Sequence, residues 1–206
     1  IAMIGAALLW VGWFGFNAGS ALAANENAAM AMLVTHISAA AATITWMLID
    51  WYKNGKPGLV GMITGMVAGL ATVTPASGFI GPLGGLILGV SSGVVCYWFV
   101  GYVKTFLNID DSLDVFAVHG VGGILGTLLC GLLATGSFGG MGLESSVWDQ
   151  TKVQIIGVVS IALYTFIVTS IIVMITQKVV GLRVTEQEEN RDGLDLGSHG
   201  ESSYHL

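Results

Sequence analysis

VFAVHGVGGILGTLL, residues 115–129, is the stretch from which the fold of this chain can be inferred. It is long, apolar and glycine-rich, and His119 is its only ionisable side chain. An imidazole is costly to place in lipid, so within a membrane segment it normally faces a bundle interior or a polar pathway. The glycines around it allow a neighbouring backbone or a small ligand to approach closely. Because imidazole exchanges a proton near neutral pH, the stretch indicates a membrane protein that handles a small polar solute or a proton. A hydrogen-bonded packing histidine is the alternative.

The composition supports the membrane assignment. The chain is 54% hydrophobic and 10% charged, whereas a soluble domain has about 25% charged residues. The formal net charge of −6 comes mostly from acids in a tail after residue 183, so nothing indicates a nucleic-acid partner. Cys96 and Cys130 lie within apolar runs and are interpreted as packing residues. Ile1 already lies inside an apolar run without the pattern of a signal peptide, which predicts that the sequence starts part-way through a longer polypeptide.

The apolar runs predict six transmembrane helices. They lie at about 1–22, 28–50, 58–75, 79–105, 113–135 and 153–180. No run alternates apolar and polar residues as a membrane barrel strand does, so the predicted fold class is an all-α polytopic membrane protein. Residues 181–206 form a polar C-terminal tail, and His36 is expected near a helix end.

Basic residues predict the orientation of these helices, because cytoplasmic connections are enriched in Lys and Arg. With six helices, one side of the membrane has a single basic residue, Lys152. The other side, which includes the tail, has Lys53, Lys56, Lys104, Lys178, Arg183 and Arg191. The C-terminus is therefore expected in the cytoplasm.

Two series of glycines spaced by four residues predict close helix packing, since this spacing puts each series on one helical face. The third helix has Gly61, Gly65 and Gly69, and the fourth has Gly81, Gly85, Gly89 and Gly93. We expect both helices to pack tightly against neighbouring helices. Packing of the third helix against the fourth is one arrangement that fits.

A stripe on the first helix is the second candidate functional feature. Trp13, Phe16 and Ser20 fall at positions i, i+3 and i+7, and Asn17 lies beside them. Aromatic stripes in membrane helices are commonly lipid contacts or core. Aromatic faces also attract cations, and a hydroxyl can accept a hydrogen bond from one. The combination suits a small cation that must lose water.

The remaining polar residues do not form an enzyme or metal site. Asp114 lies five residues before His119, so the two do not share a helical face. We expect Asp114 to support a helix by accepting backbone or hydroxyl hydrogen bonds rather than to contact a ligand. Ser20 has no neighbouring base in the sequence, and a single histidine without acids, Cys or Met at ligand spacing makes a poor metal site. No cofactor is expected.

Four motifs resemble the ammonium transporter family (Amt/Mep/Rh), and the tail pattern resembles the Amt branch. They are WVGWFGFNAGSALAAN, GKPGLVGMITGMVAGLATVTPASGFIGP, DVFAVHGVGGILGT and GLRVTEQEENRDGLDLGSHGESSY, in this order. Members of the family have eleven membrane helices, built as two inverted five-helix repeats and a last long helix. The chain resembles only the second repeat, the last helix and the tail. The first repeat would supply a partner histidine, an outer gate phenylalanine and an outer-site tryptophan.

The resemblance implies roles for individual residues. Ser20 matches the residue that binds ammonium at the outer mouth, and Phe16 matches the inner phenylalanine of the gate. Trp13 lies along the same pore-facing helix. His119 matches one of the twin pore histidines, and Asp114, with Asn17, is implied as structural support.

The implied function is transport of ammonium or ammonia across a bacterial plasma membrane by a homotrimer that is not an enzyme. The family also implies a PII-type regulatory partner at the cytoplasmic face. Two alternatives are an ammonium sensor that uses the same fold and a channel for a neutral gas or small amide. The upstream sequence would test the architecture, since a first repeat must carry a membrane-embedded histidine.

Overall fold

The structure, a computed structural model, describes residues 1–202, without the side chains of Arg191 and Asp192. Among these residues there is no strand, so the all-α prediction is confirmed. The α-helices are α1 (Ala2–Gly19), α2 (Glu26–Asn54), α3 (Leu59–Val73), α4 (Pro82–Gly101), α5 (Gly122–Leu133), α6 (Val147–Val179) and α7 (Glu186–Leu194). π-Helical turns span Tyr102–Phe106, Phe116–Val121 and Asp195–His199, and a 3₁₀ turn spans Gly136–Phe138.

Five of the described helices are long and apolar enough to cross a membrane. They are Ala2–Gly19, Glu26–Asn54, Pro82–Phe106, Phe116–Leu133 and Val147–Val179, two of which include a π-helical turn. The third predicted span corresponds to α3, which is apolar but shorter, with 15 residues. The chain forms two compact units, Ile1–Val158 and Val159–Leu206.

Helix α2 is the packing centre of the first unit, since α1, α3 and α4 all contact it. Its N-terminus is capped by the Asn25 side chain, which accepts a hydrogen bond from the Ala28 amide at 3.0 Å. Such capping satisfies one of the free amides at a helix start. At the other end Gly55 ends the helix with a left-handed φ of 74°, a conformation that favours glycine.

Both glycine stripes lie against α2, which the spacing alone did not specify. A Cβ built on Gly69 of α3 or on Gly89 of α4 would lie 2.5 Å from the same Ser38 carbonyl oxygen of α2. The Ser38 hydroxyl also donates to the Gly69 carbonyl at 2.9 Å. Helices α3 and α4 contact each other as well, but their glycines serve the approach to α2. Gly81 is an exception, because it lies against the backbone of Gly139.

The sequence suggested that His36 lies near a helix end, and this prediction is wrong. It lies within α2, ten residues after Glu26, with its ring 5.1 Å from the Trp10 ring and 6.0 Å from the Phe14 ring. Both aromatic residues belong to α1, so His36 is part of the α1–α2 contact.

The second unit contains the end of α6 and the tail helix α7. Thr185 and Glu188 form a capping box, in which the Glu188 amide donates to the Thr185 hydroxyl and the Thr185 amide donates to the Glu188 carboxylate. The backbone N–H of Thr185 holds the pKa of Glu188 below its ordinary value. Gly193 interrupts the helix with a φ of 71°. Residues 203–206 of the predicted tail lie outside the described residues.

Candidate functional site

The predicted stripe of α1 forms one wall of an open groove. Phe16 is 62% exposed, and its ring packs edge-on against the Trp13 ring with centroids 6.1 Å apart. The groove has a volume of about 560 Å³ and is lined by Gly5, Leu8, Leu9, Gly12, Trp13 and Phe16. Gly5 and Gly12 add no side chain to this wall.

Trp13 is fixed by a hydrogen bond that the sequence did not predict. Its indole N–H donates to the Thr74 hydroxyl at 2.8 Å. Thr74 is the C-cap of α3 and in turn donates to the Leu70 carbonyl at 2.7 Å. Thr74 stands in the Thr-Pro break after the third apolar run, and this break was the only sequence signal that could have pointed to it. The indole plane is therefore held by α3 although it belongs to α1.

His119 lies on the π-helical turn Phe116–Val121. Its ring stacks on Trp13, with centroids 6.4 Å apart and an interplanar angle of 16°. The side chain is exposed in this chain. The rings of Phe16, Trp13 and His119 thus follow one another along a single open face, contributed by α1 and the π-helical turn.

Ser20 is the C-cap residue of α1 and lies about one turn beyond Phe16. Its hydroxyl donates to the Phe16 carbonyl at 2.7 Å. Because that bond uses the hydroxyl proton, the oxygen can act toward a ligand only as an acceptor. It opens into a pocket of about 270 Å³ whose lining also includes Asn17, Thr74, Ser77 and Phe79. An acceptor beside an aromatic ring suits a ligand that donates hydrogen bonds.

Asn17 ties α1 to α2. Its side chain is buried, with 6% exposure, and its amide donates to the Thr35 hydroxyl at 2.9 Å. The Thr35 hydroxyl in turn donates a hydrogen bond to the Ala31 carbonyl at 2.6 Å. A buried amide needs such a partner, so the contact orients the helix that carries the aromatic stripe.

In the structure Asp114 forms an ion pair, not the backbone or hydroxyl hydrogen bonds by which the sequence analysis expects it to support a helix. Its carboxylate lies 2.7 Å from the Lys104 ammonium and is 15% exposed; this is an ion pair rather than an aligned hydrogen bond. The capping role belongs to Asp111, whose two carboxylate oxygens accept from the amides of Val115 and Phe116, each at 2.9 Å. Asp111 was missed because an acid three residues earlier in a run of polar residues gives no distinct signal.

A family model described as "Ammonium Transporter Family" matches residues 1–204 of the sequence. The chain belongs to the ammonium transporter family. It is 45% identical to the ammonium transporter of Aquifex aeolicus over 207 residues, which cover 100% of this chain and 48% of that protein. It is 46% identical to the ammonium transporter Amt1 of Archaeoglobus fulgidus over 205 residues, which cover 99% and 52%. The chain thus spans about half the length of these relatives.

Solved structures of the ammonium transporter family have the same fold. One, named "Sensor Amt Protein", superposes with a TM-score of 0.87 at 31% identity and covers 95% of this chain and 48% of that one. Mep2 of Candida albicans superposes with a TM-score of 0.81 at 34% identity and covers 90% and 43%. Together with the apolar helices, these matches confirm an integral, polytopic membrane protein. The recognition of the family from its four motifs is likewise confirmed.

Proposed function

We propose that the protein to which this chain belongs transports ammonium or ammonia across a membrane, and that this chain supplies one wall of the pathway. The observation that carries the proposal is the open series of rings from Phe16 through Trp13 to His119. Ser20 adds a hydroxyl acceptor at the outer end of the series. In this proposal Ser20 recruits ammonium and Phe16 gates its entry. Trp13 lines the pathway, and His119 lines the water-free centre of the pathway.

The arrangement answers the main physical difficulty of moving ammonium through a membrane. A bare cation in an apolar pore has a large desolvation penalty, so a simple apolar channel would reject it. An aromatic face and a hydroxyl acceptor replace part of its water shell. Ammonium can then release a proton and cross as ammonia past the imidazole, which itself exchanges protons near neutral pH. Potassium has no proton to release, so the same pathway excludes it.

The exposed position of His119 supports a second component of the site. An imidazole is expensive to leave facing lipid, and in transporters built from inverted repeats the binding site lies at the interface between the repeats. We propose that the N-terminal half of the complete protein covers this face and adds a second imidazole opposite His119. His119 is then buried near the bilayer midplane.

Replacing His119 by Ala in the complete protein tests this function. We expect uptake of methylammonium into proteoliposomes to fall strongly, because the proton-handling group of the dry segment is lost. His199, on the tail turn Asp195–His199, provides the control, and His199→Ala should transport normally. Normal uptake by His119→Ala would contradict the proposed pathway.

An ammonium sensor is the second candidate function. It is favoured by the similarity to the structure named "Sensor Amt Protein". A sensor binds the same cation without sustained flux. Purified complete protein that binds methylammonium but gives no uptake in proteoliposomes would favour the sensor over the transporter.

The tail and the assembly are proposals of the same kind. We propose a homotrimer in a bacterial plasma membrane, with the six predicted spans and a cytoplasmic tail, 181–206, that Arg183 anchors through its bidentate guanidinium. A PII-type protein is the proposed partner at that face. Deleting residues 184–206 should alter transport, trimer stability or PII binding in the complete protein. If all three are unchanged, the tail is a solvated end.

A further inference from the structure

The turn that carries His119 is a π-helical turn, Phe116–Val121, followed directly by α5. A π-helical turn contains one residue more than the α-helical turn it replaces, and such turns are rare and concentrated at functional sites. An α-helix turns by about 100° and rises about 1.5 Å per residue. If the turn changed from π-helical to α-helical, His119 would therefore rotate about the helix axis and shift along it, relative to the segments of the chain that stay in place.

The C-terminal side of the turn is fixed by helix packing. A Cβ built on Gly122 would lie 2.7 Å from the Thr72 hydroxyl oxygen and 3.4 Å from the Cys96 sulfur. A Cβ on Gly126 would overlap the Thr72 carbonyl oxygen. The start of α5 is thus in backbone contact with α3, and it cannot rotate without lifting off that helix.

The N-terminal side of the turn is held by charged groups. Asp111 caps the amides of Val115 and Phe116. Asp114 has a left-handed φ of 58°, which is unfavourable for a residue with a side chain and most tolerable for Asp and Asn. Its carboxylate is held 2.7 Å from Lys104, which belongs to the π-helical turn Tyr102–Phe106 at the end of α4. The ion pair therefore links the first π-helical turn to a residue that lies two positions before the second.

We propose that Lys104 and Asp114 are positioning residues. Their ion pair keeps the Phe116–Val121 turn in its π-helical form, and this keeps His119 stacked on Trp13. The inference rests on the proposed role of His119 in the pathway. Neither residue needs to touch the solute. Without the ion pair, Asp114 keeps only its backbone hydrogen bonds with Asp111 and Val118 to offset its left-handed backbone. The turn can then relax to an α-helix that points His119 away from Trp13.

The test uses the complete protein with Asp114→Asn and Lys104→Met. Asn tolerates the same φ, so Asp114→Asn removes the charge and not the backbone preference. We expect the maximal rate of methylammonium uptake per folded protein to fall at least about tenfold, since a misplacement of about 1 Å can cost about 10²-fold. The KM should stay within about twofold, because the Ser20 hydroxyl keeps its hydrogen bond to Phe16. Lys104→Arg keeps the charge and should keep the rate.

A second ion pair provides the matched control. Lys152 and Asp149 are 2.9 Å apart near the start of α6, and Lys152→Met should leave both the rate and the KM unchanged. A loss of rate in Lys152→Met equal to that in Lys104→Met would overturn the proposal.

A cryo-EM structure of Asp114→Asn gives the decisive measurement. We expect an α-helical turn at 116–121 and a His119–Trp13 ring separation well above 6.4 Å. A retained π-helical turn with the rings still stacked would overturn the proposal. If Asp114→Asn does not fold, Lys104→Met serves the same measurement. Normal uptake by His119→Ala would contradict the proposed function instead, and the structure of the variant would still decide whether the ion pair holds the turn.

Discussion

Replacing Ser20 by Ala isolates the recruitment step of the proposed pathway. The Ser20 hydroxyl donates to the Phe16 carbonyl at 2.7 Å, so its contribution to a cation is one accepted hydrogen bond. A hydrogen bond to a charged group contributes about 1.5–3 kcal/mol. Losing it should weaken binding of ammonium or methylammonium by about 10- to 150-fold. Folding should be little affected, because Ser20 is exposed and ends α1.

The assay is a concentration series of methylammonium uptake in proteoliposomes containing the complete protein. We expect the KM to rise by the factor above, while the maximal rate changes little because the rings of Trp13 and His119 are untouched. Ser170→Ala is a matched control, since Ser170 makes the same kind of bond, from its hydroxyl to the Phe166 carbonyl four residues earlier at 2.6 Å. An unchanged KM in Ser20→Ala, or an equal rise in Ser170→Ala, would refute the reasoning.

Two further predictions concern packing and pH. Gly126→Ala should destabilise the protein by about 1–3 kcal/mol, because the new methyl group would overlap the Thr72 carbonyl oxygen. Gly123→Ala is the control, since a Cβ there meets nothing within 4 Å. Thermal unfolding of the two variants checks this prediction, and equal stability would contradict it. The capping box of α7 should weaken as the pH falls through the lowered pKa of Glu188, since a carboxyl group with a depressed pKa stabilises the folded form only while ionised. NMR chemical shifts of α7 should report this loss of helix as the pH falls from the ordinary pKa of a glutamate toward the lowered pKa of Glu188. Glu188→Gln should remove this pH dependence. If the Glu188→Gln variant loses helix over the same pH range as the parent, the link is ruled out.

The sequence predicted the features that depend on local periodicity. Apolar run length predicted the helices, and the i, i+3, i+7 spacing predicted that Trp13, Phe16 and Ser20 share a face. Glycine spacing predicted close approach but not the partner, because a bare helical face fits any neighbour that reaches it. In the structure that neighbour is α2.

The π-helical turn under His119 could not be read from the sequence. The contacts that we propose to hold it join residues that are 10 and 50 positions apart along the chain, namely the Lys104–Asp114 ion pair and the approach of Gly122 to Thr72. The same limit hid the hydrogen bond from Trp13 to Thr74, whose members are 61 residues apart. Periodicity, apolar runs and motifs identified the candidate residues, whereas tertiary contacts decide how their rings are oriented.

The shared contact of Gly69 and Gly89 with the Ser38 carbonyl has a consequence for how the bundle assembles. Because both helices meet one atom of α2, neither needs the other in order to find its depth in the bilayer. Helix α2 therefore gives α3 and α4 a common point of reference within the bundle. The depth at which they cross is then set by the Ser38 carbonyl and by the hydrogen bond from the Ser38 hydroxyl to Gly69. It survives exchange of side chains outside this contact so long as Gly69, Gly89 and Ser38 are kept.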